Sequence, residues 1–312
     1  MPDMACRLIV GCGYVGRRVA SRWLRQGDLV FAITRSIARA NELRPLGIQP
    51  IVWDWLDGAQ PSIENALQPL LELETRRLTT ILIAVSHSPQ PGLPPIETHV
   101  RGLNHLASLF ETIPWWKESR NETKWIYLST TGVFGPTPSG AWVDESSPVS
   151  PERPGSIGAL AGEEWIDSHV SEDRRVILRP AGIYGPDRVP RWEAIRDKTP
   201  LQVDPESYLN LIHVDDLAAT ICQVSSTNML SSVYCVSDGA PVRRREYYEY
   251  IASIGNWPMP IFEPVKPSGT GRLSSRSDGN KKIRNHRIQA ELAMPLEYPS
   301  YREGLKSLLA KQ

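Results

Sequence analysis

The sequence predicts an α/β chain built on a doubly wound parallel sheet, with a smaller, interleaved C-terminal lobe. Three observations carry that expectation. Short apolar runs alternate with longer amphipathic segments over the first 180 of 312 residues. The runs are rich in Ile, Val and Leu without strict alternation, as in parallel strands buried on both faces. Beyond about residue 180 the alternation gives way to Pro-interrupted segments.

Taken in order, Arg7–Val10, Leu29–Ile33, Ile48–Val52, Thr80–Val85, Trp125–Leu128 and Arg175–Leu178 read as strands. Between the first two, Val15, Val19 and Trp23 fall at i, i+4 and i+8, with arginines and serines elsewhere. That spacing predicts an amphipathic helix ending at Gln26-Gly27. Repeated strand–helix–strand units imply right-handed crossovers. The later segments include an apolar stretch at Leu209–Val214, a last strand at Val233–Val236 and a Tyr- and Arg-rich helix from about Arg243 to Ile254. Residues 1–180, completed by about 209–237, are expected to form the larger domain, and 181–208 with 238–312 the smaller lobe. Residues 264–282 carry five basic residues against one acidic and read as a mobile loop, either a solvated linker or a basic lid over an anionic ligand.

Composition narrows the function. Thirty-five basic residues balance thirty-five acidic ones, so no overall field draws the chain to nucleic acid or to an acidic membrane surface. No apolar run approaches the roughly 18 residues of a membrane helix. The N-terminus lacks the basic and apolar regions of a secretory signal, and a cytoplasmic address is expected. Cys6, Cys12, Cys222 and Cys235 show no C-x-x-C spacing and read as reduced core residues rather than metal ligands.

The sharpest chemical signal is Gly11-Cys12-Gly13-Tyr14-Val15-Gly16, set directly between the first strand and the first helix. Gly11 permits the tight turn, Gly13 lets backbone approach a pyrophosphate, and Gly16 allows close helix packing at a helix N-terminus that favours anions. The bland alternative is a Gly-rich connection and nothing more; the strand before and helix after favour dinucleotide binding. Where an acidic side chain would bond an adenosine ribose 2′-OH, the second strand ends at Thr34-Arg35-Ser36. Arg35 can clamp a 2′-phosphate, with Arg17 and Arg39 either assisting or merely solvated, the solvated reading being the better one for Arg39, so NADP(H) is favoured over NAD(H). Asp54, after the third strand, either contacts the adenine edge or caps a turn.

Further segments then carry a resemblance. Tyr127-Leu128-Ser129-Thr130-Thr131-Gly132-Val133-Phe134-Gly135, Leu178-Arg179-Pro180-Ala181-Gly182-Ile183-Tyr184-Gly185-Pro186 and Asn210-Leu211-Ile212-His213-Val214-Asp215-Asp216-Leu217-Ala218 follow the glycine turn. Together these resemble the extended short-chain dehydrogenase/reductases, the NAD(P)-dependent epimerases and dehydratases, in an atypical branch. Tyr234-Cys235-Val236-Ser237-Asp238-Gly239 and Tyr301-Arg302-Glu303-Gly304-Leu305 also have counterparts there. The resemblance implies a Rossmann-type nucleotide-binding domain, a substrate lobe, and chemistry at a hydroxyl or carbonyl carbon of a small polar molecule, with a nucleotide sugar as one candidate. Pairing of two copies into a homodimer is left open.

One departure stands out. The resemblance implies a Tyr-x-x-x-Lys pair on the helix after the fifth strand, the Tyr moving the proton and the Lys lowering its pKa. The matching positions are Gly155 and Ala159, and no Tyr or Lys occurs from Ala141 through Val176. Thr130 matches the hydroxyl-bearing partner and can bond a substrate oxygen. The candidate proton carriers are His87, just past the fourth strand, Tyr184, just past the sixth, or a water, a structural role being the commoner one for either side chain. Asp144-Glu145 reads as a solvated loop, and Asp215 or Asp216 as a helix cap rather than a metal ligand. Trp115-Trp116 and Tyr247-Tyr248 read as packing aromatic residues. Two functions fit these features: a dinucleotide-dependent oxidoreductase, or a silent dinucleotide-binding sensor.

Overall fold

The computed structural model describes residues 4–57, 70, 78–87, 92–137, 140–228, 231–264 and 280–309. Strands β1 (Cys6–Val10), β2 (Leu29–Thr34), β3 (Gln49–Val52), β4 (Leu78–Ile83) and β5 (Lys124–Leu128) pair in parallel. Arg175–Pro180 continues the sheet beyond β5, followed by Val233–Val236. The spatial order is therefore Val233–Val236, Arg175–Pro180, β5, β4, β1, β2, β3. The chain leaves β1 towards β2 and β3 and returns to its other side at β4. The carboxyl ends of β1 and β4 thus flank a point where the strand order reverses, the usual seat of a ligand in such sheets.

Helix α1 (Tyr14–Arg25) buries the predicted stripe: Val15 is 7% exposed, and Val19 and Trp23 are fully buried. Helix α2 (Ile37–Leu43) starts at Ser36, whose hydroxyl accepts the Arg39 N–H. The chain divides into two compact units. The first comprises Met1–Ser129, Ile157–Leu178 and Ala218–Val233; its core gathers Leu8, Val10, Phe31, Ile33, Ile81, Trp125 and Tyr127. The second comprises Thr130–Ser156, Arg179–Leu217 and Tyr234–Gln312, around Tyr184, Leu211, Tyr247, Tyr248, Tyr301 and Leu305. Residues 130–156, expected in the larger domain, fall in the second unit.

Several expectations need correction. Leu209–Val214 is not one stretch: Tyr208–Leu209 pairs antiparallel with Val242–Arg243, whereas Leu211–His213 pairs parallel with Gly182–Tyr184. Of the loop expected over 264–282, residues 265–279 lie outside the described residues, but its end is a strand. Lys281–Ile283 pairs in parallel with Ala141–Val143. His213 Nδ1 accepts the Asp215 N–H, while the Asp216 carboxylate accepts the N–H groups of Glu297 and Tyr298. Glu145 is not solvated: its side chain is 5% exposed, accepts the Cys235 N–H at 2.7 Å and faces Arg287. The four cysteines are free and buried, as expected. Trp116 stacks on Phe110, and Tyr247 and Tyr248 pack in the core.

Candidate functional site

A cleft of about 180 Å³ opens at the carboxyl ends of β1, β2 and β4 in the first unit. Its floor is the glycine turn. Gly11 adopts φ +89°, and a Cβ there would lie 2.8 Å from the Ala84 carbonyl oxygen, so the turn excludes any larger residue. Gly13 N–H bonds the Gly11 carbonyl at 2.9 Å, closing the turn onto α1. At Gly13 itself a Cβ would meet nothing within 4 Å, leaving backbone open to a ligand. Gly13 is the N-cap of α1 and supplies no side chain to bond the first-turn amides, which leaves a 12-residue helix with an uncapped positive end. Tyr14, Val15 and Gly16 lie behind this surface: the Tyr14 ring packs under the Arg18 guanidinium, and Gly16 lets the helix approach Gly11 and Ile9.

The walls come from separate strand ends. Ile33, Thr34 and Arg35 follow from β2, Trp53, Trp55 and Leu56 from the segment after β3, and Ala84 to His87 from β4. Arg35 is exposed and has no hydrogen-bond or ion-pair partner among the described residues. Arg39 and Arg17 both bind Glu42, Arg39 at 2.8 Å. These two cations hold the Glu42 carboxyl below its ordinary range. Asp54 serves the turn: its Oδ1 accepts the Leu56 N–H at 3.0 Å, and it does not line the cleft. Cys12 lines the cleft, but burial pushes its thiol up to about 12, so it is inert as a nucleophile.

Two histidines line the same cleft. His87 Nδ1 is buried with no partner among the described residues. His99, from the helix Pro95–Glu111, is 4% exposed and shares a 2.7 Å hydrogen bond with the Tyr127 hydroxyl. The Tyr127 hydroxyl also lies 3.2 Å from the Ala159 carbonyl, so a tautomer with the proton on His99 Nδ1 lets the phenol donate to that carbonyl and leaves Nε2 as an acceptor. Burial, with His87 as a nearby cation when protonated, pushes His99 down to about 4, and its ring is neutral at physiological pH. Sequence reasoning missed His99 because it sits near the start of a helix, sixteen residues past the end of β4, and only the fold brings it to the cleft. Trp55, three residues past β3, was missed because a tryptophan after a strand reads as packing.

Thr130 and Tyr184 belong to the second unit. Thr130 Oγ1 accepts the Gly132 N–H at 3.0 Å, capping the turn Thr131–Phe134, and its own proton remains to be donated. Tyr184 has no exposed surface: its hydroxyl donates to the Ser300 carbonyl at 3.3 Å and its ring stands edge-on to His213. Burial raises its pKa far above the ordinary phenol range. It packs as a core residue of the second unit. The helix carrying Gly155 and Ala159 is Pro154–His169, and Ala159 is 5% exposed.

A reversing parallel sheet with a glycine turn opening an uncapped helix defines a Rossmann-type nucleotide fold. The NAD dependent epimerase/dehydratase family model matches residues 8–231, and the chain belongs to that family. A 4-hydroxy-2-methyl-3-oxo-4-farnesyl-3,4-dihydroquinoline-1-oxide ketoreductase of Stigmatella aurantiaca is 26% identical over 265 residues, which is 80% of this chain and 75% of the relative. Among solved structures, a functionally unknown conserved protein of Silicibacter pomeroyi is 27% identical, with a TM-score of 0.73 over 99% of both chains. WbmG of Bordetella bronchiseptica, solved with NAD and UDP, shares the fold at 17% identity, with a TM-score of 0.76 over 99% of this chain and 94% of its own. No helix among the described residues is long and apolar enough to cross a membrane.

Proposed function

We propose that this protein is an NADP(H)-dependent oxidoreductase acting on a hydroxyl or carbonyl carbon of a small polar molecule. The observation that carries the reading is the unpaired Arg35 beside the open backbone of Gly13, lining one cleft. A pyrophosphate fits the Gly13 amide and the α1 N-terminus, and a 2′-phosphate fits the guanidinium. The residues present therefore suit the dinucleotide. When bound, it supplies or accepts the hydride, while the protein binds, orients and handles the proton.

In this reading Thr130 donates its hydroxyl proton to the substrate oxygen as a hydrogen bond. Proton transfer falls to His87, with neutral His99 fixed by Tyr127 as an acceptor lining the same cleft. Tyr184 takes no part. A second reading, a silent dinucleotide sensor, is favoured by the absence of Tyr and Lys from 141–176.

Fluorescence titration with NADPH and NADH tests the first step. Charge-assisted hydrogen bonds of about 1.5–3 kcal/mol predict that Arg35→Ala weakens NADPH roughly 10- to 100-fold and leaves NADH nearly unchanged. Equal affinity for both nucleotides in the parent protein would refute the preference. A carbonyl-substrate screen with Thr130→Ala and His87→Ala controls then separates enzyme from sensor: tight binding with no turnover on any substrate favours the sensor.

A further inference from the structure

Within the second unit, polar side chains converge on the turn Thr131–Phe134. A Cβ built on Gly132 would lie 2.3 Å from Ser156 Oγ, 3.2 Å from an Arg153 guanidinium nitrogen and 3.3 Å from Thr130 Oγ1. Two hydroxyls and a cation thus crowd one point that only glycine leaves free. A second cation reaches the same turn from far along the chain. The strand Lys281–Ile283, held parallel to Ala141–Val143, carries Lys281 Nζ to the Gly135 carbonyl at 2.9 Å. Gly135 closes the turn through its N–H to the Gly132 carbonyl at 3.1 Å.

The donors outnumber the acceptors. Lys281 is 8% exposed, and among the described residues its three N–H groups find one acceptor, the Gly135 carbonyl, and no carboxylate. Ser156 is 5% exposed, and its hydroxyl has no partner among the described residues. A buried ammonium without a counter-charge is costly, and the position of Arg153 adds to that cost. Burial, then repulsion from Arg153, push the Lys281 amine down to about 8. A buried ammonium and an unfilled hydroxyl facing one turn, with the half-buried Arg153 guanidinium beside them, are complementary to an anion with several acceptor oxygens.

We propose that Arg153, Lys281 and Ser156 form a receptor for an oxyanion group of the substrate, a phosphoryl or carboxylate group, beside Thr130. The inference deepens the proposed function and rests on it for the identity of the ligand as substrate. It assigns the substrate a negative charge within a few ångströms of the oxygen that Thr130 engages. The dinucleotide's own phosphates are assigned to the Gly11–Gly13 turn of the other unit.

Calorimetric titration of the full chain with inorganic phosphate and, separately, with acetate tests the receptor. Saturable binding below about 50 mM is expected for at least one probe, and the tighter probe identifies the group. Lys281→Met should weaken it at least about tenfold and Ser156→Ala by about threefold, the worth of a charged and a neutral hydrogen bond. Lys281→Arg, which keeps the charge, should retain most of the binding, and near-UV circular dichroism checks that each variant is folded. Acetate keeps its charge from pH 7 to 9, so its affinity should fall across that range as Lys281 loses its proton. No saturable binding of either probe, equal binding by Lys281→Met, or loss of phosphate binding in Gly13→Ala would overturn the inference. NADPH titration of the same samples separates the two claims: NADPH binding without oxyanion binding removes the receptor alone. Oxyanion binding lost in Lys281→Met, in a protein that binds no nucleotide, keeps the receptor and removes the proposed function.

Discussion

Gly11 and Gly13 stand two residues apart in one turn, yet their replacement by alanine should give opposite results. At Gly11 the left-handed φ of +89° costs a non-glycine residue about 1–2 kcal/mol. The new Cβ would also meet backbone of Ala84 and Val85 at 2.8–3.0 Å, and backbone cannot swing aside as a flexible side chain can. A total of about 3 kcal/mol or more follows, which lowers Tm by roughly 6–12 °C at about 2–4 °C per kcal/mol. At Gly13 the new Cβ meets nothing within 4 Å, and the loss is that of Ala against Gly at an N-cap, about 1 kcal/mol or less. The methyl group instead occupies space that a pyrophosphate needs to reach the amide. Gly13→Ala should therefore melt within about 4 °C of the parent while binding NADPH at least about tenfold more weakly. Calorimetric melting and nucleotide fluorescence on the same preparations decide the matter. A Gly13→Ala protein with parental stability and parental NADPH affinity would refute the placement of the pyrophosphate.

Tyr127→Phe removes the hydroxyl between His99 and the Ala159 carbonyl, leaving buried polar groups unpaired; urea unfolding should register about 1–3 kcal/mol. His99, held near 4 when folded against its ordinary 6.5, binds a proton more readily unfolded, so its contribution to stability is lost as pH falls from about 6.5 to 4. Histidine proton NMR should find this ring neutral at pH 5.5, and His99→Asn should flatten that part of the acid slope. Asp238 has the opposite sense. Burial, then repulsion from Asp216 and Glu303 against the Ala240 N–H bond, pushes its carboxyl up to about 7. The folded state thus keeps a proton that the unfolded chain releases near 4, and the penalty grows until about pH 7. Asp238→Asn should raise Tm at pH 8 and leave it nearly unchanged at pH 4. Gly102→Ala drives a Cβ to 2.4 Å from the Trp55 ring, and should cost about 1–3 kcal/mol and disturb the cleft wall that Trp55 forms.

The parallel strands were legible because burial on both faces leaves a run of Ile, Val and Leu that needs no partner to be recognised. Their starts were less so. β5 begins at Lys124, a charged residue that reads as loop, because its buried amine is satisfied by the carbonyls of Val224 and Thr227, about a hundred residues away. The glycine turn was legible since its chemistry is local: three glycines, one strand and one helix. His99 was not, because a residue's approach to a cleft through the crossing of a helix leaves no local trace. The pairing of Ala141–Val143 with Lys281–Ile283 was invisible for a similar reason, three residues being too short for any periodicity. Tyr184 shows the converse error. Its place at a strand end suggested a site, but that strand belongs to a two-stranded pair inside the second unit's core, where a phenol serves packing and one backbone carbonyl.

The distant partnership of Ala141 with Lys281 also has a consequence in time. At about 5–20 residues per second, a ribosome needs roughly 7–28 s to deliver the second strand after the first has emerged. During that interval Ala141–Val143 offers an open backbone edge, and Trp142, which Lys282 and Arg284 later flank with their cations, is bare. Residues 130–156 thus emerge early and must wait, while the glycine turn, its helix and β2 can assemble from the first 34 residues. Nascent chains stalled before residue 281 should carry a finished nucleotide turn beside an unclosed second unit, and they are the species most in need of a chaperone.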